Sequence, residues 1–576
     1  MAKEHDVNAH IIQSAIARAA ATLLIGLVAT LAAPVSATLA ASPATATGAS
    51  TGAASAASPT AAACRALAQR SAGQAVISRA ELVAAGPLPP TPGPPRPPAP
   101  PVQLPEHCLV QGALAPRTGA AGRHYQIGFQ IRLPTHWNGR FLYQGGGGLD
   151  GIVQPAIGNV GLASKPALAR GFAVVSTDSG HQGFDASFGF DQQARLDFAY
   201  AAIGKVTAEA KHIIDRFYGR QPRYSYFVGC SNGGREAMMA AQRFPYDFDG
   251  IVAGDPGFDL SAAAVEEVWD IDQFTKVAPH DAHGRPILSG AFTDAQLAAV
   301  SAAVLRQCDR LDGLADGMIN DIQGCRFNPA VLECKAGTSG GCLSGAKVAA
   351  LRAVFGGAHD SAGHSLYPGW PYDAGLAAPG WRAWKLGNSP SAASNAINAT
   401  LGLQAMQDYF LTPPQPHLTA AAFDFNRDPQ LVAQTAAIND ATSTFMTSFV
   451  AHHGRMLIYQ GMSDPVFSAD DIIRWYRQLS HDAASVQPAS GHAAPVQDWA
   501  RLFLVPGMNH CGGGPATDEF DALDAIQAWS ERGTAPNRLI ARGPSMPGVT
   551  RPLCPYPKYA HYTGGNPKAA ASFTCK

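Results

Sequence analysis

Residues 224–244, YSYFVGCSNGGREAMMAAQRF, constrain the fold of this chain more than any other stretch. The segment 224–228 has the length and aromatic, apolar make-up of a buried strand. It runs without a spacer into Gly229-Cys230-Ser231-Asn232-Gly233, and then into a helical pattern over 234–244. A turn that tight admits only small residues at its flanks, which accounts for both glycines. Strand–turn–helix units of this kind build parallel sheets covered by helices.

The same alternation recurs along the chain. Further strands are predicted at 125–133, 140–144, 172–176, 251–253, 455–460 and 501–505, and helices at 207–218, 469–479 and 520–532. Between 257 and 445 the pattern changes to helical stretches, loops, four cysteines and several tryptophans. That stretch reads as an inserted domain, which leaves 64–256 and 446–576 as the two parts of one core. The length of 576 residues fits such an arrangement. Regular structure is expected to start after a proline-rich run at 87–104, which itself reads as extended surface chain.

Lys3 and Arg18 precede an apolar run over 19–33, followed by the small residues Val35-Ser36-Ala37. Residues 1–37 thus read as a secretory signal peptide, with a membrane anchor as the alternative. Residues 38–63 are almost all Ala, Ser, Thr, Gly and Pro and read as a disordered linker. Ten cysteines without a C-x-x-C pair point to disulfides and an oxidising compartment, hence a secreted or periplasmic protein. Lysine and arginine number 42 against 43 acidic residues, with no basic run. That balance argues against a nucleic-acid or anionic-membrane partner and for a small or neutral substrate.

Ser231 has the setting of a nucleophile elbow, although a plain glycine-rich turn would share the pattern. A serine hydroxyl needs a base, and the base needs an orienting carboxylate. Strand 455–460 leads into Gly461-Met462-Ser463-Asp464, and strand 501–505 into Pro506-Gly507-Met508-Asn509-His510. Both candidates therefore stand at strand C-terminal ends, in the order serine, acid, histidine. Asp470 and Asp471 are rivals for the acid, but they fall inside the next predicted helix. His452, His453 and His492 are rivals for the base, but none directly follows a strand. The backbone N–H of Asn232 is one oxyanion donor, and the glycine run 145–148 offers a second at Gly148. The fold implied is an α/β-hydrolase core with a large inserted domain.

Cys230-Ser231 and His510-Cys511, with Asp464 between them, resemble the arrangement of the tannase and feruloyl esterase family. The stretches GCSNGGREAMMAAQRFPYDFDGIVAGDPG, CDRLDGLADGMI, LIYQGMSDPVFSA, RLFLVPGMNHCGGGP and RPLCPYP carry the likeness, which covers nearly the whole chain beyond Cys64. Ten cysteines alone admit about 945 pairings. The resemblance implies Cys230–Cys511, Cys64–Cys108, Cys308–Cys325, Cys334–Cys342 and Cys554–Cys575. It makes the inserted domain a lid that selects the substrate, with Trp384 and Phe467 at positions that hold a substrate ring. Ordinary core packing is the competing reading of both aromatics. It also implies a structural calcium in the lid, held by the carboxylates of Asp309, Asp312 and Asp316 and the carbonyls of Leu314 and Met318. Read without the resemblance, that loop suits a hard cation or a solvated acidic turn.

The activity implied is secreted serine carboxylic-ester hydrolysis of feruloyl- or galloyl-type aromatic esters, through an acyl-enzyme. Two alternatives stand beside it: a hydrolase of terephthalate monoesters, and a catalytically inactive fold that binds such ligands. Family members acting on the terephthalate monoester clamp its free carboxylate with a lid arginine. The matching place here is Asn398, with Arg382 or Lys385 as possible substitutes, and an amide cannot form arginine's bidentate charged pair.

Overall fold

A computed structural model describes residues 61–69, 75–88, 102–159, 165–335, 341–485 and 495–576. The signal-peptide reading and nearly all of the linker lie outside these residues. So does the middle of the proline-rich run, 89–101.

Nine strands form the main sheet: β1 Val76–Val83, β2 His107–Thr118, β3 His124–Pro134, β4 Arg140–Gln144, β5 Ala173–Thr177, β6 Tyr224–Cys230, β7 Gly250–Gly254, β8 Arg455–Gly461 and β9 Ala500–Val505. Their order is β1-β2-β3-β5-β4-β6-β7-β8-β9. The first three strands and β5 pair antiparallel, and the six from β5 to β9 run parallel. The crossover β5–β4–β6 and the following parallel strands are those of an α/β hydrolase.

Alternation along each strand divides the core between the two faces of the sheet. Phe141, Tyr143, Ile251, Ala253 and Ile458 enter one cluster with the helices Ala202–Tyr218, Asn232–Arg243 and Ala469–Ser485. Leu142, Val252, Leu457 and Tyr459 enter the other with the helix Ala522–Arg532. A sheet covered on both faces needs apolar residues at every position, and β5 and β7 are buried throughout.

Regular structure does not wait for the proline-rich run, as the sequence suggested. A helix Ala61–Gln69 and β1 precede it, and β2 follows it directly. The bases of the run are held together, since Gly86–Pro87 pairs with Gln103–Leu104. Cys64–Cys108 pins the first helix to β2. This N-terminal layer was hard to read because β1 is half-exposed and its apolar signal is diluted.

Between β7 and β8 the chain builds the inserted segment, with helices at Leu260–Thr275, Asp294–Cys308 and Gly345–Gly356. The second of these opens on a reciprocal Thr293–Gln296 capping box. Its hydrophobic cluster also takes in Phe188 and Phe198, from the segment after β5, and Val466 and Phe467, from the loop after β8. Cys308–Cys325 and Cys334–Cys342 lie within the insertion, and Cys554–Cys575 staples the C-terminal segment.

Candidate active site

β6 ends at Cys230, and the helix Asn232–Arg243 begins one residue past Ser231. Ser231 stands between them at φ 65°, ψ −126°, in a region that L-residues rarely occupy. The neighbouring glycines make that turn possible. A Cβ at Gly229 would meet the Gly233 carbonyl oxygen at 2.3 Å, and one at Gly233 would meet the Gly146 oxygen at 2.6 Å.

His510 Nε2 lies 2.8 Å from Ser231 Oγ, and His510 Nδ1 lies 2.8 Å from Asp464 Oδ2. Asp464 is 2% exposed. Its Oδ1 accepts from the backbone N–H of Val466 at 2.7 Å and of Phe467 at 3.2 Å, and its Oδ2 accepts from Gln460 Nε2 at 3.2 Å. These three donors hold the plane of the carboxylate. The rival acids Asp470 and Asp471 lie in the helix Ala469–Ser485, as expected. His452 and His453 follow the short helix Thr447–Ala451, away from a strand end. His492 lies outside the described residues.

The disulfide Cys230–Cys511 joins the residue before the serine to the residue after the histidine, with 6.0 Å between the Cα atoms. The four other implied pairs are also formed.

Three of the four glycines in 145–148 have their amides engaged. Gly145 N–H donates to the Val228 carbonyl, Gly146 N–H to Glu236 Oε2 at 2.9 Å and Gly147 N–H to Asp150 Oδ1 at 2.8 Å. Gly148, at φ 62°, lines the cavity beside Ser231 and Asn232. Asn232 Nδ2 donates to Asp150 Oδ2 at 2.9 Å, and its Oδ1 accepts from the fully buried Arg235 at 2.7 Å. Asp150 thus bridges the glycine loop and the turn at Ser231. Burial, and then the charge of Glu236, push its carboxyl well above the usual range.

A second buried carboxyl stands behind the triad. Asp255 follows β7, accepts from Gly461 N–H at 2.6 Å and from Cys511 N–H at 3.0 Å, and is pushed well up by burial and by Asp464. Neither Asp150 nor Asp255 was singled out from the sequence. Asp255 carried a usable signal, since it occupies a strand C-terminal end like Asp464. Asp150 carried none, because its role depends on a contact 82 residues away.

Trp384 and Phe467 flank the histidine. Each ring meets the His510 imidazole edge-on, at 5.4 Å between centroids. Both line the pocket that opens on Ser231, with Leu260, Ala264, Leu401 and Phe410. Asn398, by contrast, is fully buried, and its Nδ2 donates to Asp270. Lys385 is paired with the same Asp270, and Arg382 is tied to Asp294 and to the carbonyls of Ser289, Phe292 and Gly387. Arg382 and Lys385, the possible substitutes for the clamping arginine, are therefore both engaged in ion pairs. Both are held by partners elsewhere, and neither is on the wall of this pocket.

In the loop 309–318, Asp309 accepts from the N–H groups of Asp316 and Gly317, and Asp312 accepts from those of Leu314 and Asn320. Asp316 also pairs with Arg551 from the C-terminal segment. Carboxylate oxygens are ligands that calcium takes, and here they face backbone N–H groups and Arg551.

A family model described as tannase and feruloyl esterase matches residues 108–576. The mono(2-hydroxyethyl) terephthalate hydrolase of Piscinibacter sakaiensis is 42% identical, over 82% of this chain and 85% of its own length. A probable feruloyl esterase B-1 of Aspergillus oryzae is 31% identical, over 76% and 79%. Among solved structures, feruloyl esterase B from Aspergillus oryzae superposes with a TM-score of 0.73 at 26% identity, covering 90% of this chain and all of that one. The tannin acyl hydrolase from Aspergillus niger shares the fold, at a TM-score of 0.69 and 20% identity over 90% and 95%.

Proposed function

This chain belongs to the tannase and feruloyl esterase family, and from that premise we propose that it is a serine hydrolase of aromatic carboxylic esters. The observation that carries this reading is the continuous chain from Ser231 through His510 to Asp464, with 2.8 Å at each link, opening on an apolar pocket. In the proposed reaction His510 Nε2 takes the Ser231 proton as Oγ attacks the ester carbonyl. Asp464 accepts from the His510 Nδ1–H and stabilises the imidazolium that forms. The N–H groups of Asn232 and Gly148 receive the oxyanion. Collapse of the tetrahedral adduct expels the alcohol, protonated by His510, and leaves the acyl group on Ser231. Water then attacks along the same path and releases the acid.

Trp384 and Phe467 are proposed to hold the substrate ring against the imidazole. Among the described residues no lysine or arginine lines this pocket, and this favours a neutral aromatic acyl group over the free carboxylate of a terephthalate monoester. The five disulfides support an oxidising, extracellular or periplasmic location. Among the described residues no helix is long and apolar enough to cross a membrane. We also propose that Asp309, Asp312 and Asp316, with the carbonyls of Leu314 and Met318, hold a structural calcium.

Replacing the nucleophile tests the central claim. Ser231→Ala should lower hydrolysis of an aryl ester by at least about 10⁴-fold while circular dichroism stays native. Turnover near the wild-type rate in that variant would remove Ser231 from the mechanism.

A further inference from the structure

The pocket at Ser231 is apolar along Leu260, Ala264, Leu401, Phe410 and Val466, and among the described residues its wall carries one carboxyl, that of Glu267. Glu267 lies on the helix Leu260–Thr275 and is 8% exposed. No hydrogen bond joins its carboxyl to any described residue. Space for it exists because residue 402 is glycine: a Cβ there would stand 2.0 Å from Glu267 Oε2. Burial raises the carboxyl to about 8, with Lys385 acting against the rise and Asp270 adding to it. At neutral pH the group is therefore mostly protonated, and offers one donor and free acceptor positions.

A carboxyl that is nine-tenths buried and hydrogen-bonded to no described residue keeps spare bonding capacity. Its place on the wall of the substrate pocket suggests that the partner arrives with the ligand. A phenolic hydroxyl both donates and accepts, so it matches a protonated carboxyl on both sides. An unsubstituted ring leaves Glu267 unpaired. A ring bearing a free carboxylate brings a second acid into a wall that holds no cation.

We infer that Glu267 is a specificity-determining residue: the contact through which this pocket reads a ring hydroxyl of the acyl group. The inference rests on the reading of Ser231 as the nucleophile of an ester hydrolase. A site built to hydrogen-bond a substrate hydroxyl rejects the analogue that lacks it far more strongly than an apolar wall could.

The experiment measures kcat/KM on two pairs of methyl esters, 4-hydroxycinnamate with cinnamate and 4-hydroxybenzoate with benzoate, and on monomethyl terephthalate. The wild type should prefer the hydroxylated member of at least one pair by about tenfold or more, and should prefer it to the terephthalate monoester. Glu267→Leu and the near-isosteric Glu267→Met should bring the ratio for that pair to within about twofold of one, because the hydroxylated ester loses its partner and the unsubstituted ester no longer leaves a buried carboxyl unpaired. Glu267→Gln, which keeps a donor and an acceptor, should retain most of the preference. Melting temperatures identify any variant that is merely unfolded, and the Gln variant remains informative if the apolar ones are. Equal slowing of both members of a pair, an unchanged ratio, or a wild-type preference for the terephthalate monoester overturns the assignment. Absence of any Ser231-dependent turnover, on either member of either pair, would instead count against the esterase reading itself.

Discussion

Asp255 adopts a φ of 34°, which L-residues with a Cβ rarely hold. The strain is matched by what its carboxyl does there. One oxygen accepts from the amide at the end of β8, and the other from the amide of Cys511, next to the histidine. Burial and the Asp464 charge raise its carboxyl well above the usual range, while its two amide donors act against that rise. Removing the carboxyl leaves two buried N–H groups without acceptors, at about 1–3 kcal/mol each. Asp255→Ala should therefore lower kcat about tenfold or more while KM moves less than about threefold, because the base is displaced and the pocket wall is not. Asp255→Asn keeps one acceptor and should fall between. Steady-state kinetics with an aryl ester would decide it; a change in KM alone would mean that Asp255 shapes the pocket instead.

At the scale of elements, the site is made where loops after three separate strands meet. The elbow after β6, the acid loop after β8 and the histidine loop after β9 come from parts of the chain up to 279 residues apart. Each loop is local and follows an apolar strand, so Ser231, Asp464 and His510 could be read from sequence. What joins the loops is not local. The Asp150–Asn232 bond, the contacts of Arg235 with the carbonyls of Phe198 and Ala199, and the Asp255 bonds all cross between elements. No spacing rule reports such pairs. The Cys230–Cys511 bond was legible only through the family resemblance. It clamps the elbow to the histidine loop, where a displacement of one ångström is enough to slow the reaction strongly. Cys230→Ser/Cys511→Ser should reduce kcat by about 10- to 100-fold and lower the melting temperature. A double variant with wild-type kcat would show that packing alone keeps the two loops in register.

Across the whole molecule, the insertion is joined to the core at more than one place. Asp373, from the insertion, accepts from Ser463 Oγ and from Gly507 N–H, both at 2.7 Å, and so touches the acid loop and the histidine loop together. Asn509, beside the histidine, donates to the Gly375 carbonyl. A second joint lies where the loop 309–318 meets the C-terminal segment. There Arg551 pairs with Asp316, and the Tyr562 carbonyl stands close enough to Gly313 that a Cβ would approach it to 3.2 Å. The proposed calcium would sit at this joint, far along the chain from the triad. An ion that binds the folded protein alone stabilises it by about 2.7 kcal/mol at a hundredfold excess over its Kd. Chelation should then lower the melting temperature by several degrees, and calcium, but not an equal ionic strength of sodium, should restore it. Because the joint lies in the insertion and does not touch the reacting atoms, loss of the ion should change substrate preference more than the rate on a small aryl acetate. Elemental analysis of gently purified protein gives the direct count. Less than about 0.1 calcium per chain, with a melting point indifferent to chelation, would leave Arg551 and the backbone amides as the partners of this acidic loop.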